Sequence, residues 1–283
     1  MNTIILNLNE KLASNSSPFE YFIINTNSYF RRISKKNTRF DPDMKEITLA
    51  GVLLAFTLTL SAQNPIFGFH YGLGSYKMKD LKAFNQTYTG QLPFEVKQTD
   101  NFPPWLYFRF NVGINWDRIE TGLSYSSRST GARYTVEDYS GKYTLDNRIH
   151  AEGPGFWLNY VINPGKRLRF LISSELGLYF SKLNMDEYLH LSDQSIIDES
   201  FRFISRNIYW EPGFKSHFDM DPLVIEAYLG YCLQSGKNGL VYLGSMGEGD
   251  LTHYGSPVAP GWGGIRVSMG IQVNLSKWVK PKS

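Results

Sequence analysis

Cysteine is nearly missing: the 283 residues hold one, Cys232. This excludes an intrachain disulfide and any multi-cysteine metal site, and Cys232 reads as a small strand residue rather than a reactive thiol. A dominant charge sign is missing too. The formal net charge is +3, with about two of those units in residues 1–43, so the chain beyond residue 62 is nearly neutral and has no basic stripe for nucleic acid. Beyond residue 62 no apolar run is long enough to cross a bilayer as a helix, although half-apolar strands would escape that test. The five histidines show no metal-ligand spacing. The glycines of GLGS (72–75) and GWGG (261–264) lack the strand-to-helix context of a phosphate loop. No cofactor is expected.

One apolar run stands near the start. Residues 44–63 read MKEITLAGVLLAFTLTLSAQ, a charged start, an apolar stretch and a small-residue exit, as in a secretory signal peptide. Cleavage is expected after Ala62. Residues 1–43, rich in Asn and Ser with Arg31-Arg32 and Lys35-Lys36, are read as an extension upstream of a start at Met44, or else as a long basic leader removed with the rest. The exported domain is then 63–283.

Within that domain, alternation dominates. In WLYFRFNVGINWDRIETGLSYSS (105–127), Leu106, Phe108, Phe110, Val112, Ile114 and Trp116 share one parity and Arg109, Asn111 and Gly113 the other, and the pattern resumes after Asp117-Arg118. Such alternation means strand, and the short junction a hairpin. Similar segments run over about 66–78, 155–162, 168–181, 203–218, 223–234 and 263–276, eight in all. Short connections (117–118, 163–167, 219–222) alternate with long ones, expected as loops at 79–102, 128–150, 182–202 and 235–261. The bulky parity is nearly free of charge, and too voluminous for the interior of eight strands, whereas glycines, hydroxyls and paired charges fit a narrow lumen. The expectation is an eight-stranded antiparallel up-and-down transmembrane β-barrel, with short turns periplasmic and long loops outside.

Several segments, the LTLSAQ leader end, the FGFHYGLG strand, the NWDRIETGLSYSS hairpin and the closing GIRVSMGIQVNLS, give a chain that resembles the small outer-membrane β-barrel proteins of Bacteroidota, porin-family or PorT-like, with an architecture like OmpA/OmpX-type barrels. The resemblance covers about residues 63–283 and implies architecture and outer-membrane location, but no activity. The chain ends in Lys277–Ser283 rather than a terminal aromatic; Trp278 is the candidate substitute.

Candidate sites follow from the faces. Arg109, Glu120, Arg169, Glu175, Glu226 and Arg266 share the polar parity and are expected to form a structural ion-pair network in the lumen, since buried charges persist only when paired. Trp105, Trp116, Trp262 and Trp278 are expected as interfacial aromatic belts, with Trp105 and Trp262 on the lumen-facing parity. His253, Ser256 and Asp250, close together in one long connection, are a weak catalytic triplet. The acidic run Asp186, Glu187, Asp193, Asp198 and Glu199 reads as solvated surface. The function expected is a non-enzymatic envelope role of a monomer in outer-membrane lipid, with long loops that contact envelope or secretion-system proteins. Competing readings are a soluble periplasmic lipocalin-like binding barrel, a narrow porin and an outer-membrane lipid-modifying enzyme.

Overall fold

The computed structural model describes residues 64–139, 141–191, 194–235, 238–243 and 249–275, with backbone alone over 194–196. The leader, the extension before it and Trp278 lie outside the described residues. The chain runs through β1 (Pro65–Gly74), α1 (Lys79–Gly90), β2 (Lys97–Asn101), β3 (Trp105–Trp116), β4 (Ile119–Asp138), β5 (Gly141–Val161), β6 (Leu168–Leu191), β7 (Gln194–Met220), β8 (Leu223–Ser235), the short β9 (Val241–Tyr242), β10 (Thr252–His253) and β11 (Ser256–Pro257), and β12 (Gly264–Asn274).

Eight of these strands close into a ring. Each pairs antiparallel with its chain neighbours among β3 to β8, and β1 joins the ends by pairing with both β3 and β12, the latter with β8. Closure leaves these strands without free edges over their shared length. Turn chemistry sets one rim. Trp116 pairs with Ile119 around Asp117, whose φ is 47°, and Met220 pairs with Leu223 around Asp221-Pro222. At the third turn, Asn163 donates to the Leu168 carbonyl (2.9 Å) and accepts from the Phe170 amide (2.7 Å), a side chain replacing a ladder bond.

The opposite end departs from expectation. The described residues of segments 128–150 and 182–202 are almost all strand rather than loop: β4 to β7 continue as ladders, with Asp138 paired to Gly141 and Leu191 to Gln194. Segment 79–102 holds α1 and β2, and β2 extends the sheet by pairing with β4 above the point where β3 stops. Between 235 and 261, β9 pairs with β7 and the β10–β11 ribbon stands apart.

The parity of the long strands continues through both halves while its chemistry exchanges. Low on β6, Leu168, Ile172, Leu176 and Leu178 point out and are exposed, while Ser173 and Glu175 point in and are buried. Higher on the same strand the inward residues are Leu183, Met185 and Leu189, and the outward ones Lys182, Asn184 and Asp186. The inward set joins Leu145, Ile149 and Phe203 in an apolar core with Leu81, Phe84 and Tyr88 of α1 and with Leu240, Leu251 and Val258. The lower half is therefore inside out and the upper half is folded as in water, with α1 as its plug.

Candidate functional site

The lower lumen is filled by side chains from all eight ring strands. Arg109 on β3 bridges Glu175 on β6 (3.2 Å) and Glu211 on β7, and Tyr209 and Tyr228 donate to those two carboxylates. Nearer the short-turn rim, Arg169 holds Glu120 (3.2 Å) and Asp219 (2.8 Å). Between the two groups the Glu226 carboxylate lies 2.8 Å from His70 Nε2 and 3.1 Å from His217 Nε2. Arg266 lies 3.9 Å from Glu211 and donates to the backbone carbonyls of Ser75 (2.6 Å) and Trp262. Desolvated charges persist best beside opposite partners, which these pairs supply; Lys215, also buried, makes no ion pair among the described residues and lies instead over the Trp157 and Tyr228 rings (5.4 and 5.9 Å).

The remaining space is taken by aromatic rings laid over glycines. A Cβ on Gly113 would sit 2.5 Å from the Trp157 ring, and one on Gly213 2.4 Å from the Tyr228 ring. Trp157 donates its indole hydrogen to the Leu123 carbonyl (3.1 Å). Above this level Arg128, buried, stacks 4.2 Å from the Tyr179 ring centroid, and Tyr179 and Tyr209 stack at 4.0 Å.

All six charged residues expected in the lumen are placed there, but not in one mutual network. Arg109–Glu175 and Arg169–Glu120 are direct pairs, whereas Glu226 is partnered by histidines and Arg266 by Glu211 and backbone. Sequence reasoning missed Glu211, His70 and His217 as partners, although all three sit on the polar parity. Arg128 escapes the same reading because the alternation places it at the start of an expected loop, 128–150. Of the tryptophans, Trp105 and Trp116 are exposed at opposite rims (51% and 59%). Trp262 corrects the belt assignment: it is fully buried, donates to Ser181 Oγ (2.8 Å) and packs edge-on against Tyr76, because it caps the lumen beneath α1.

The cap has its own polar centre. Glu187, assigned to acidic surface from sequence, is buried and accepts from Tyr88 of α1 and Tyr143 of β5, both at 2.8 Å. Burial raises its carboxyl pKa, an effect opposed by the two phenol hydrogen bonds. Burial also pushes both tyrosines up, which keeps them neutral donors. Asn147 donates to Asn85 of α1 at 2.7 Å. His253 Nε2 lies 2.9 Å from Thr87 Oγ1. Its Cα partner across the ribbon is Ser256, so its ring pins the ribbon to the helix.

Fold and site together define a closed, eight-stranded antiparallel barrel with a charged lumen and a helix-plugged cap. No family model and no curated protein matches the chain. Among solved structures, it is similar to the neisserial surface protein A (NspA), at 11% identity and a TM-score of 0.36, over 75% of this chain and 97% of that one. It is also similar to Ail, the attachment invasion locus protein of Yersinia pestis, at 13% identity and a TM-score of 0.31, over 75% and 96%.

Proposed function

We propose that this chain is a non-enzymatic barrel of the bacterial outer membrane that holds its cap outside the cell as a contact surface for other envelope components. One observation carries the reading: a continuous outward belt of large apolar side chains surrounds a lumen filled with buried charged groups and tyrosines. Soluble monomers rarely expose apolar patches beyond a few hundred Å², whereas hydrocarbon requires such a belt. From Leu168 to Phe180 the outward face of β6 covers roughly 40 Å of strand, or roughly 30 Å of height at a tilt of about 40°, close to a hydrocarbon core. Within the belt, Trp210 donates its indole hydrogen to Ser174 Oγ (2.9 Å), so its polar atom needs no water. The filled lumen speaks against a diffusion pore, and His253, bonded to Thr87 of the helix, against a hydrolytic triplet with Ser256.

The test is cell fractionation followed by detergent gels with and without boiling. A band confined to the outer membrane whose mobility shifts on heating is expected. A soluble periplasmic protein without a heat shift would sink the proposal.

A further inference from the structure

Above the apolar belt, the outward face of β5 to β7 changes character in register. Along the ladders, Glu152 lies beside Phe180 and Phe180 beside Arg206; His150 beside Lys182 and Lys182 beside Ile204; Arg148 beside Asn184 and Asn184 beside Arg202. Arg148, His150, Lys182, Arg202 and Arg206 are all exposed. Strands lie about 4.8 Å apart and each two-residue step adds about 7 Å, so these rows cover roughly 10 Å by 14 Å. Glu152 is the one acid among them, engaged by the Tyr125 hydroxyl (2.8 Å). The next row up is acidic, with Asp146 beside Asp186, and Asp146 draws Arg148 to 2.9 Å. The cations therefore form a band of limited height, bounded by hydrocarbon-facing residues below and carboxylates above.

We infer that this band is a docking site for the phosphate groups of a phosphorylated glycolipid in the leaflet around the cap end, an inference that rests on the membrane-barrel reading above. The band is continuous with the belt: Arg206 lies with its guanidinium carbon 5.7 Å from the centre of the Phe180 ring, the last large apolar side chain on β6 before Lys182. A ligand with its chains against Leu178 and Phe180 would carry its head group to Arg206, Lys182 and Arg202. Guanidinium groups take phosphate oxygens in pairs. Several cations over so wide a patch suit a head group with two phosphates better than a single phosphodiester. Among the described residues no ion pair is made by Lys182 or Arg202, so a bound phosphate need not displace a carboxylate from them.

The experiment uses the full chain folded in detergent and titrated with bis-phosphorylated lipid A, with the same lipid dephosphorylated, and with phosphatidylglycerol, read by native mass spectrometry. Phosphorylated lipid A is expected to bind tightest. Each cation near an anionic lipid surface is worth about a factor of five, so Arg202→Ser should weaken binding about fivefold. The combined Lys182→Ser, Arg202→Ser, Arg206→Ser variant should weaken it about a hundredfold, and added salt should narrow the gap to wild type. All three side chains are exposed and outside the lumen, so the heat shift on gels should persist in every variant. Equal binding of the dephosphorylated lipid, equal binding of phosphatidylglycerol, or undiminished binding by both variants would overturn the inference while the barrel reading stands. Loss of the heat shift in the wild-type chain would instead overturn both.

Discussion

At the residue scale, the lumen works by matching volume and charge one partner at a time. Arg109 shows the cost of losing a partner, because it is the arginine in direct ion pairing with both Glu175 and Glu211. Arg109→Ala leaves two desolvated carboxylates facing each other, and breaking a buried pair costs about 3–5 kcal/mol. The midpoint of urea unfolding, followed by loss of the fast-migrating gel band, should fall accordingly; an unchanged midpoint would show that the lumen charges are hydrated. Glu187 makes the opposite use of burial. Its carboxyl pKa is raised in the folded state, so its contribution to cap stability is fully present below the unfolded value of about 4.3 and is lost as pH rises through the folded value. Hydrogen exchange of α1 amides, corrected for intrinsic rates, should therefore show a tighter cap in mild acid than at neutral pH. Glu187→Gln should flatten that slope, and an identical slope in the variant would assign it to another group.

At the scale of elements, β5, β6 and β7 each exchange the polarity of their two faces once along their length. Alternation continues past Ser181, but Leu183, Met185 and Leu189 take the parity that Ser173 and Glu175 occupy lower down. Read from sequence with one face held apolar throughout, this exchange looks like the end of a strand, which is why 182–202 and 128–150 were expected as loops. The extensions are visible in the sequence only as an alternation whose apolar parity switches once per strand. The helix α1 was not legible for a related reason. Its buried positions Leu81, Phe84, Asn85 and Tyr88 have helical spacing, but the run is short and includes an asparagine whose partner, Asn147, is 62 residues away. Since α1 plugs the cap and bears little on ring closure, Leu81→Ala should cost the cap about 2–5 kcal/mol. Protease cleavage within 79–102 should become faster while the heat shift of the barrel persists; loss of the shift would show that cap and barrel fold as one unit.

At the scale of the molecule, closure and environment decide stability together. If the belt faces lipid as proposed, an arginine at its mid-height costs about 2–4 kcal/mol. Ile172, outward and exposed near the middle of the β6 belt face, is the place to test this. Ile172→Arg should lower the folding stability in lipid vesicles by that amount, whereas Tyr188→Arg, exposed above the belt and beside Asp198, should be nearly neutral. Equal effects would place the membrane boundary elsewhere. What the sequence by itself determined was local: the number of ring strands, their alternation, the short turns at Asp117, Asn163 and Asp221, and the identity of the polar parity. These depend on side-chain period and turn chemistry within a few residues. Only the tertiary structure decided which charges meet, since Arg109 and Glu211 lie 102 residues apart and their encounter depends on how the closed strands are staggered. Closure likewise decided that Trp262 caps the lumen instead of standing exposed at a rim, and that the upper strands wrap a helix. A period-two pattern states that two faces differ; which face is inside, and at what height the answer reverses, follows from what fills the space that the ring encloses.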